Sequence, residues 1–180
     1  CSALEHVDDL YSLTRLEYDV FSHCVSLISV DCSDKLTAIG SSAFFGCKAL
    51  VSIGDLSNVT SIESSVFRGC IALKSIGNMP KLESIGMQCF MGCTALETVG
   101  DLSSLKEIPS ETFDGCTSLV SIGDLSNVTI IGSYGFNQCK KLTSIPNLGS
   151  LERVDQFAFS GCESLALLGN LRKLTSFGNS

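Results

Sequence analysis

Residues 37–59 read TAIGSSAFFGCKALVSIGDLSNV, and the segment that follows, residues 60–82, reads TSIESSVFRGCIALKSIGNMPKL. Both segments carry isoleucine, phenylalanine, cysteine and leucine at the same positions, and this 23-residue spacing never slips along the chain. A fixed period of roughly 20 to 50 residues indicates a solenoid, because each unit buries its apolar face only against its neighbours. The sequence therefore predicts a stack of repeats.

Three rows of residues predict the interior of the stack. The rows are Ile39, Ile62, Ile85, Ile108, Ile131, Val154 and Phe177; Phe21, Phe44, Phe67, Phe90, Phe113, Phe136 and Phe159; and Cys1, Cys24, Cys47, Cys70, Cys93, Cys116, Cys139 and Cys162. We predict stacked rings in the core, in preference to an aromatic ligand cage, and buried free thiols that donate weak hydrogen bonds to the backbone. Disulfides between neighbouring coils are the geometric alternative. Zinc is disfavoured, because Cys89 and Cys93 form the only close pair.

The repeats divide the chain into one continuous series. Full units occupy 14–36, 37–59, 60–82, 83–105, 106–128, 129–151 and 152–174, with partial units at both ends. No linker interrupts the series, so we predict a single domain over residues 1–180. Solenoids generally need polar caps over their terminal coils, so the partial units lead us to expect a segment of a longer array.

The local pattern predicts a chain that keeps turning. Apolar residues recur at every third position through Leu50, Ile53 and Leu56, which suits neither a long amphipathic helix nor a long strand. We predict an α/β solenoid in which a short strand at residues 50–54 stacks on its equivalents as a parallel β-sheet on one face. On the other face we predict short helical turns, at residues 41–47 of this unit.

Composition disfavours several classes of function. The chain has 12 Lys and Arg against 19 Asp and Glu, a net charge of −7, which would repel a phosphate backbone, so we expect no nucleic-acid partner. No apolar stretch is long enough to span a bilayer, so we expect no direct membrane insertion of this segment. His6 and His23 have no nucleophile that the pattern places beside them, and no phosphate loop or two-histidine metal motif occurs. We predict no enzymatic activity, no metal and no cofactor.

One row of small hydroxyls should face outward from the sheet. Its members are Ser29, Ser52, Ser75, Thr98, Ser121 and Ser144. They precede the buried Ile53 row by one residue, and side chains alternate across a strand. The row one residue earlier, which consists of Val51 and its equivalents, varies from coil to coil in charge and size. We therefore expect binding specificity to reside in that row. The candidate binding residues on this face are Val51, Ser52, Lys74, Ser75, Glu97, Thr98, Val120, Ser121, Thr143 and Ser144. The alternatives are a merely solvated sheet face or an ice-binding surface.

A row of polar residues follows the predicted strand. It comprises Asp9, Asp55, Asn78, Asp101, Asp124, Asn147 and Asn170. We interpret these side chains as caps on backbone amides, with neighbouring glycines supporting a tight bend. A calcium ladder is the alternative.

Two asparagines begin N-glycosylation sequons. Asn58 and Asn127 each start Asn-Val-Thr, and residues 50–60 recur identically as residues 119–129, so the second sequon copies the first. Both are candidate modification sites if the protein has a eukaryotic secretory origin.

The unit that contains Ile-Gly-Ser-Ser-Ala-Phe-Phe-Gly-Cys-Lys-Ala-Leu, residues 39–50, resembles the BspA-like or Treponema-type leucine-rich repeat, and the resemblance covers all 180 residues. It implies a gently curved solenoid of the kind found on the surfaces of host-associated bacteria and protists, where such proteins serve adhesion and protein binding. The sequence departs from the family at Gly54-Asp55-Leu56, where an apolar residue and then proline are usual. Unit 14–36 departs furthest, with Asp31, Cys32 and Ser33 in place of Gly, Asp and Leu.

Two hypotheses of function follow. The first is an extracellular or cell-surface recognition and adhesion module, possessing no catalysis, whose partners are proteins, including host or extracellular-matrix proteins. The second is a structural spacer or self-assembling scaffold, which the regular repeats and open ends favour and which predicts end-to-end self-association.

Overall fold

The computed structural model describes residues 1–8 and 10–179, and every coil of the solenoid contributes two strands of two residues each. The strands form two ladders that alternate along the chain. The first ladder holds β1 (His6–Val7), β3 (Ser29–Val30), β5 (Ser52–Ile53), β7 (Ser75–Ile76), β9 (Thr98–Val99), β11 (Ser121–Ile122), β13 (Ser144–Ile145) and β15 (Leu167–Leu168). The second holds β2 (Arg15–Leu16), β4 (Ala38–Ile39), β6 (Ser61–Ile62), β8 (Ser84–Ile85), β10 (Glu107–Ile108), β12 (Ile130–Ile131), β14 (Arg153–Val154) and β16 (Ser176–Phe177).

Pairing is parallel and in register with the repeat. Ser29 lies opposite Ser52 and Val30 opposite Ile53, so each residue meets its counterpart 23 positions along the chain. The parallel solenoid is therefore confirmed, and its first ladder lies where the sequence predicted a strand. The second ladder is an addition, because the sequence analysis placed a sheet on one face only.

Two prolines interrupt the ladders. In the second ladder the residue after each strand donates its N–H to the preceding coil, as Gly86 does to the carbonyl of Ile62 at 2.8 Å. Pro109 occupies this position after β10 and has no N–H, and the pairing lapses between β8 and β10. Pro146 does the same after β13, where the pairing with β11 lapses. The first ladder also lapses between β5 and β7, where no proline explains the break.

The predicted helical turn is wrong: among residues 1–8 and 10–179 no helix occurs. Residues 41–47 and their equivalents instead form consecutive tight turns in which alternate amides bond to the next coil. Ser42 has a left-handed backbone with φ of 58°, and so does its counterpart in every coil from Asp19 to Phe157. Such values are incompatible with a right-handed helix.

The hydrogen bonds of this turn segment explain why it does not become helical. Within the unit, the amides of Phe45 and Cys47 donate to carbonyls three residues earlier. The intervening amides donate across coils, from Ser42 to Ser64, from Phe44 to Val66 and from Gly46 to Arg68, at 3.0, 3.0 and 2.8 Å. In a helix all of these amides would donate to carbonyls of the same coil, and no backbone hydrogen bonds would join neighbouring coils on this side.

The core is built from the predicted rows except at the two ends, where Cys1 and Phe177 are exposed instead of buried. Neighbouring rings from Phe21 to Phe159 stack with centroids 5.2–5.7 Å apart and planes within 18° of parallel. Six thiols, from Cys47 to Cys162, donate to the phenylalanine carbonyl 26 residues earlier at 3.0–3.2 Å. Both predictions, stacked core rings and thiols bonded to the backbone, are confirmed, and all ten cysteines are free in the structure.

Unit 14–36 accommodates its departure from the repeat by hydrogen bonding. Ser33 stands where most other coils bury leucine, and it is only 3% exposed. Its hydroxyl donates to the carbonyl of Tyr11 at 3.0 Å and accepts the amide of Lys35 at 3.0 Å. Both bonds satisfy a polar group that would otherwise be costly to bury.

Candidate binding surfaces

The first-ladder face, defined by the ten candidate residues from Val51 to Ser144, is open to solvent as predicted. Nine of the ten are exposed and Ser144 is half-buried. The second residue of the same strands, such as Ile76 and Val99, turns inward, so alternation across each short strand separates face from core. Lys74 and Glu97 occupy equivalent positions in neighbouring coils, and the amide of Glu97 donates to the carbonyl of Lys74 at 2.8 Å.

One histidine on this face has a hydroxyl beside it, contrary to the expectation from the sequence. Strand β1 pairs with β3 and sets His6 opposite Ser29, with His6 Nδ1 and Ser29 Oγ 2.9 Å apart. The pair is a surface hydrogen bond at the first coil, where water competes for both groups.

The polar row after the strand caps backbone amides, as predicted. Asp55, Asp101 and Asp124 each accept the amide two residues later at 2.8–2.9 Å. Asp9, the first member of the row, lies outside the described residues. The glycines beside this row are not left-handed: a side chain at Gly100 would come within 2.5 Å of Asn78 in the preceding coil, so close stacking, not a tight bend, requires glycine there.

The two sequon asparagines lie in equivalent but unequal surroundings. Asn58 is half-buried and Asn127 is exposed. Each donates from Nδ2 to a carbonyl of the preceding coil, at 2.8 Å to Asp34 and 2.7 Å to Ser103. Asn58 Oδ1 also accepts a hydrogen bond from the ammonium group of Lys81 at 2.6 Å.

A second surface, which the sequence analysis did not find, lies on the turn side. A shallow groove of about 410 Å³ crosses the coils over the glycine row; we call it the turn-side groove. The residues that line it are His23, Val25, Phe45, Gly46, Lys48, Arg68, Gly69, Met91 and Gly92. The one sign of this groove in the sequence is the glycine that recurs every 23 residues, since the residues on either side of it differ from coil to coil.

Comparison with known proteins agrees with this architecture. The family described as "BspA type Leucine rich repeat region" matches residues 1–97 and 83–180, in six copies. The chain belongs to this BspA-type leucine-rich repeat family. Comparison with curated protein sequences finds no match.

Solved structures of other leucine-rich repeat proteins share the fold. The Treponema pallidum leucine-rich repeat protein is 27% identical, with a TM-score of 0.65 over 95% of this chain and 69% of its own. A leucine-rich repeat protein from Eubacterium ventriosum is 19% identical, with a TM-score of 0.76 over 98% of this chain and 61% of its own. A leucine-rich cell surface protein from Faecalibacterium prausnitzii is 24% identical, with a TM-score of 0.61 over 94% and 60%. The chain thus spans about 60–70% of the lengths of these relatives.

The buried thiols of the BspA-type core are unreactive at neutral pH. Burial raises the pKa of the Cys47 and Cys93 thiols to about 12, and that of the half-buried Cys32 and Cys162 thiols to about 11. A thiol is nucleophilic and binds metals as the thiolate, which these values suppress at neutral pH.

Two features are absent from the described residues, a cluster of metal ligands and a membrane-spanning helix. Outside Asp9 and Ser180, no group of three or more His, Cys, Asp or Glu side chains is placed to hold a metal ion. Within the same residues, no helix has the length and apolar character needed to cross a bilayer.

Proposed function

We propose that this chain is a non-catalytic recognition module of a cell-surface or secreted protein, and that it binds protein partners, including host or extracellular-matrix proteins, through the first-ladder face. The supporting observation is the combination of a rigid ladder with a varied exposed row. In the row Val51, Lys74, Glu97, Val120 and Thr143, each amide after the first donates to the carbonyl of the preceding member at 2.8–3.4 Å. These hydrogen bonds hold the spacing of the row even where strand pairing lapses, while the side chains differ in charge, size and polarity.

The spacing of this row suits protein recognition. Parallel strands lie about 4.8 Å apart, so the five positions span roughly 20 Å, which is the scale of the energetic centre of a protein interface. Lys74 and Glu97 give the row one cation and one anion side by side, whereas Val51 and Val120 flank them with exposed apolar groups. Charge pairs fix orientation and exclude wrong partners, and the apolar groups contribute area.

The test uses a partner recovered with the biotinylated chain and identified by mass spectrometry. Replacing Lys74 and Glu97 together by alanine should weaken binding by about tenfold or more, measured by interferometry. The matched control replaces Glu83 and Lys106, an exposed acid–base pair that occupies neighbouring coils of the second ladder. An unchanged affinity in the first variant, or an equal loss in the control, would place the contact elsewhere.

A second function, end-to-end assembly as a spacer or scaffold, is supported by the regularity of the stack. Its strands pair in parallel with their counterparts 23 residues along the chain, so one coil can in principle stack on any other. Light scattering should then show a mass that rises with concentration, and a constant monomeric mass up to about 0.2 mM would count against assembly.

A further inference from the structure

We propose that the turn-side groove is a second binding site, which takes an acidic peptide segment carrying an aromatic or aliphatic side chain. The site is separate from the first-ladder face and does not depend on the function proposed for that face. The proposal follows from three properties of the groove, namely its bare floor, its apolar walls and its local charge.

At Gly69 and Gly92 the floor of the groove is peptide backbone without side chains. Gly46, Gly69 and Gly92 all have φ between 68° and 74°, a left-handed conformation that disfavours any residue with a Cβ. A Cβ added at Gly92 would meet nothing within 4 Å, and one at Gly69 would meet only the Cα of Gly46 at 3.8 Å. Gly46 itself is buried, and a Cβ there would lie 2.9 Å from Nδ1 of the His23 ring, which covers this end of the floor. The glycine amides already donate to the next coil, so the floor presents CH₂ groups instead of unsatisfied polar atoms. It is therefore an apolar channel open to a guest.

The walls of the groove are shaped by packed rings and a flexible thioether. The ring of His23 meets that of Phe45 edge-on, with centroids 4.9 Å apart. Arg68 lies over the Phe45 ring, with Cζ 5.7 Å from its centroid. Met91 continues the same row in the next coil, and Val25, on the opposite wall, is 40% exposed. An aromatic or aliphatic side chain would remove this apolar surface from water, and methionine adapts readily to different guests.

The charge of the groove is opposite to that of the protein. The net charge of the chain is −7, yet the residues that line the groove include Lys48 and Arg68 and no Asp or Glu. Asp19, in the turn segment that contributes His23, is not among the lining residues. Acidic residues return in the following coil at Glu111 and Asp114 and so mark the end of the basic section. A guest that carries carboxylates would be attracted to this section.

Arg68 is positioned to receive a carboxylate. One of its five N–H groups is engaged, since Nη1 donates to Gln88 Oε1 at 2.7 Å. That bond and the Phe45 ring hold the planar guanidinium in place. A fixed guanidinium loses less side-chain entropy when it binds a carboxylate through paired hydrogen bonds.

The dimensions suit a short extended peptide. The lining runs from the coil of His23 to that of Met91, three inter-coil steps or about 14 Å, which matches four to five residues of extended chain. A nucleic-acid strand would meet two cations here and a strongly acidic surface around them, and is disfavoured. The kind of partner is thus an extended acidic segment with one apolar anchor.

The experiment measures binding of fluorescein-labelled nine-residue peptides by fluorescence anisotropy. The acidic probe places Phe-Leu-Phe between Asp and Glu residues, and the control probe replaces every Asp and Glu with Lys. We expect the acidic probe to bind at least tenfold more tightly and to weaken as salt rises from about 50 to 300 mM. Equal binding of the two probes, or no binding of the acidic probe at about 1 mM, would overturn the proposal.

Variants locate the contact. Lys48→Glu, at an exposed side chain, should reduce affinity for the acidic probe at least tenfold, and Arg68→Gln should do so independently. Lys140→Glu is the matched control, because Lys140 occupies the same row four coils away and lies outside the groove, and it should change affinity less than twofold. Circular dichroism would verify that each variant is folded. Equal losses in Lys48→Glu and Lys140→Glu would overturn the placement.

Two competing occupants would also show themselves. Sedimentation velocity that detects a dimer broken by Lys48→Glu would assign the groove to a second copy of the chain and refute the peptide site. Binding to phosphatidylserine vesicles, with no binding to the acidic peptide, would refute it in favour of a lipid surface.

Discussion

Raising the pH should unfold this protein well before most domains of its size, because its core contains a column of buried thiols. Six of them are fully buried, with no side-chain exposure: Cys47, Cys70, Cys89, Cys93, Cys116 and Cys139. Burial raises the pKa of each of these thiols above the ordinary value of 9.0, to about 12 for Cys47 and Cys93. The folded state therefore keeps protons that the unfolded chain has released.

The sign and size of the effect follow from proton linkage. Since the folded pKa lies above the unfolded one, the full stability is present below pH 9 and is lost as the pH rises toward 12. Each buried thiol costs about 0.4 kcal/mol at pH 9 and about 1.4 kcal/mol at pH 10. Six thiols together remove about 2.5 kcal/mol at pH 9 and about 8 kcal/mol at pH 10, against a typical domain stability of about 5–15 kcal/mol.

Urea unfolding followed by circular dichroism, with a phosphine reductant present, measures this loss between pH 7 and 10. The double variant Cys93→Ala with Cys116→Ala removes two of the six thiols, so the pH-dependent loss should fall by about a third even though its stability at pH 7 is lower. A free energy of unfolding that stays within about 1 kcal/mol from pH 7 to 9.5 would refute the reasoning, because it would mean that the thiols are not buried in the folded state.

Two further outcomes are expected. Phe90→Ala should lower the free energy of unfolding by about 3–5 kcal/mol, because this fully buried ring stacks on both neighbours at 5.2 and 5.3 Å, whereas Phe157→Ala, at a ring 37% exposed, should cost about 1 kcal/mol or less. Urea unfolding compares the two, and equal costs would contradict the packing of the row. In a eukaryotic secretory host, Asn127 should carry glycan more often than Asn58, which is half-buried and holds the ammonium of Lys81, and Lys81→Ala should narrow the difference. Glycopeptide mass spectrometry measures both sites, and higher occupancy at Asn58 would contradict the accessibility argument.

The core of the protein could be predicted from the sequence because it depends on register alone. Once Phe67 and Phe90 are 23 residues apart in a solenoid, their rings must lie in successive coils at the same depth, whatever the local backbone does. The same holds for Cys70 and Cys93, whose thiols occupy equivalent places. The outward first-ladder face followed in the same way, since Ser52 precedes a buried row by one residue.

The turn side could not be predicted, because its conformation is set between coils. In seven successive coils the residue at one position of the repeat has a left-handed backbone. Ser65, Glu111 and Tyr134 are among these residues, and none of them indicates a left-handed conformation in a sequence as glycine does. Local propensity favoured a helical turn, but the amide bonds to the next coil prevailed. The turn-side groove could not be predicted for a related reason. Phe45, Arg68 and Met91 are residues of different chemical types, and only the stacking of the coils brings them side by side.

The direction of the hydrogen bonds explains how so short a strand can hold a rigid surface. Strand amides donate to the preceding coil, as Gly40 does to Leu16, whereas turn amides donate to the following coil, as Gly46 does to Arg68. Each internal coil is therefore bonded to both neighbours through donors of its own as well as through acceptors. Because these bonds use backbone atoms only, substitutions in exposed rows change the chemistry of a face without changing its spacing. Both candidate surfaces, the first-ladder face and the turn-side groove, can thus vary in specificity on an unchanged frame, which is what a recognition scaffold requires.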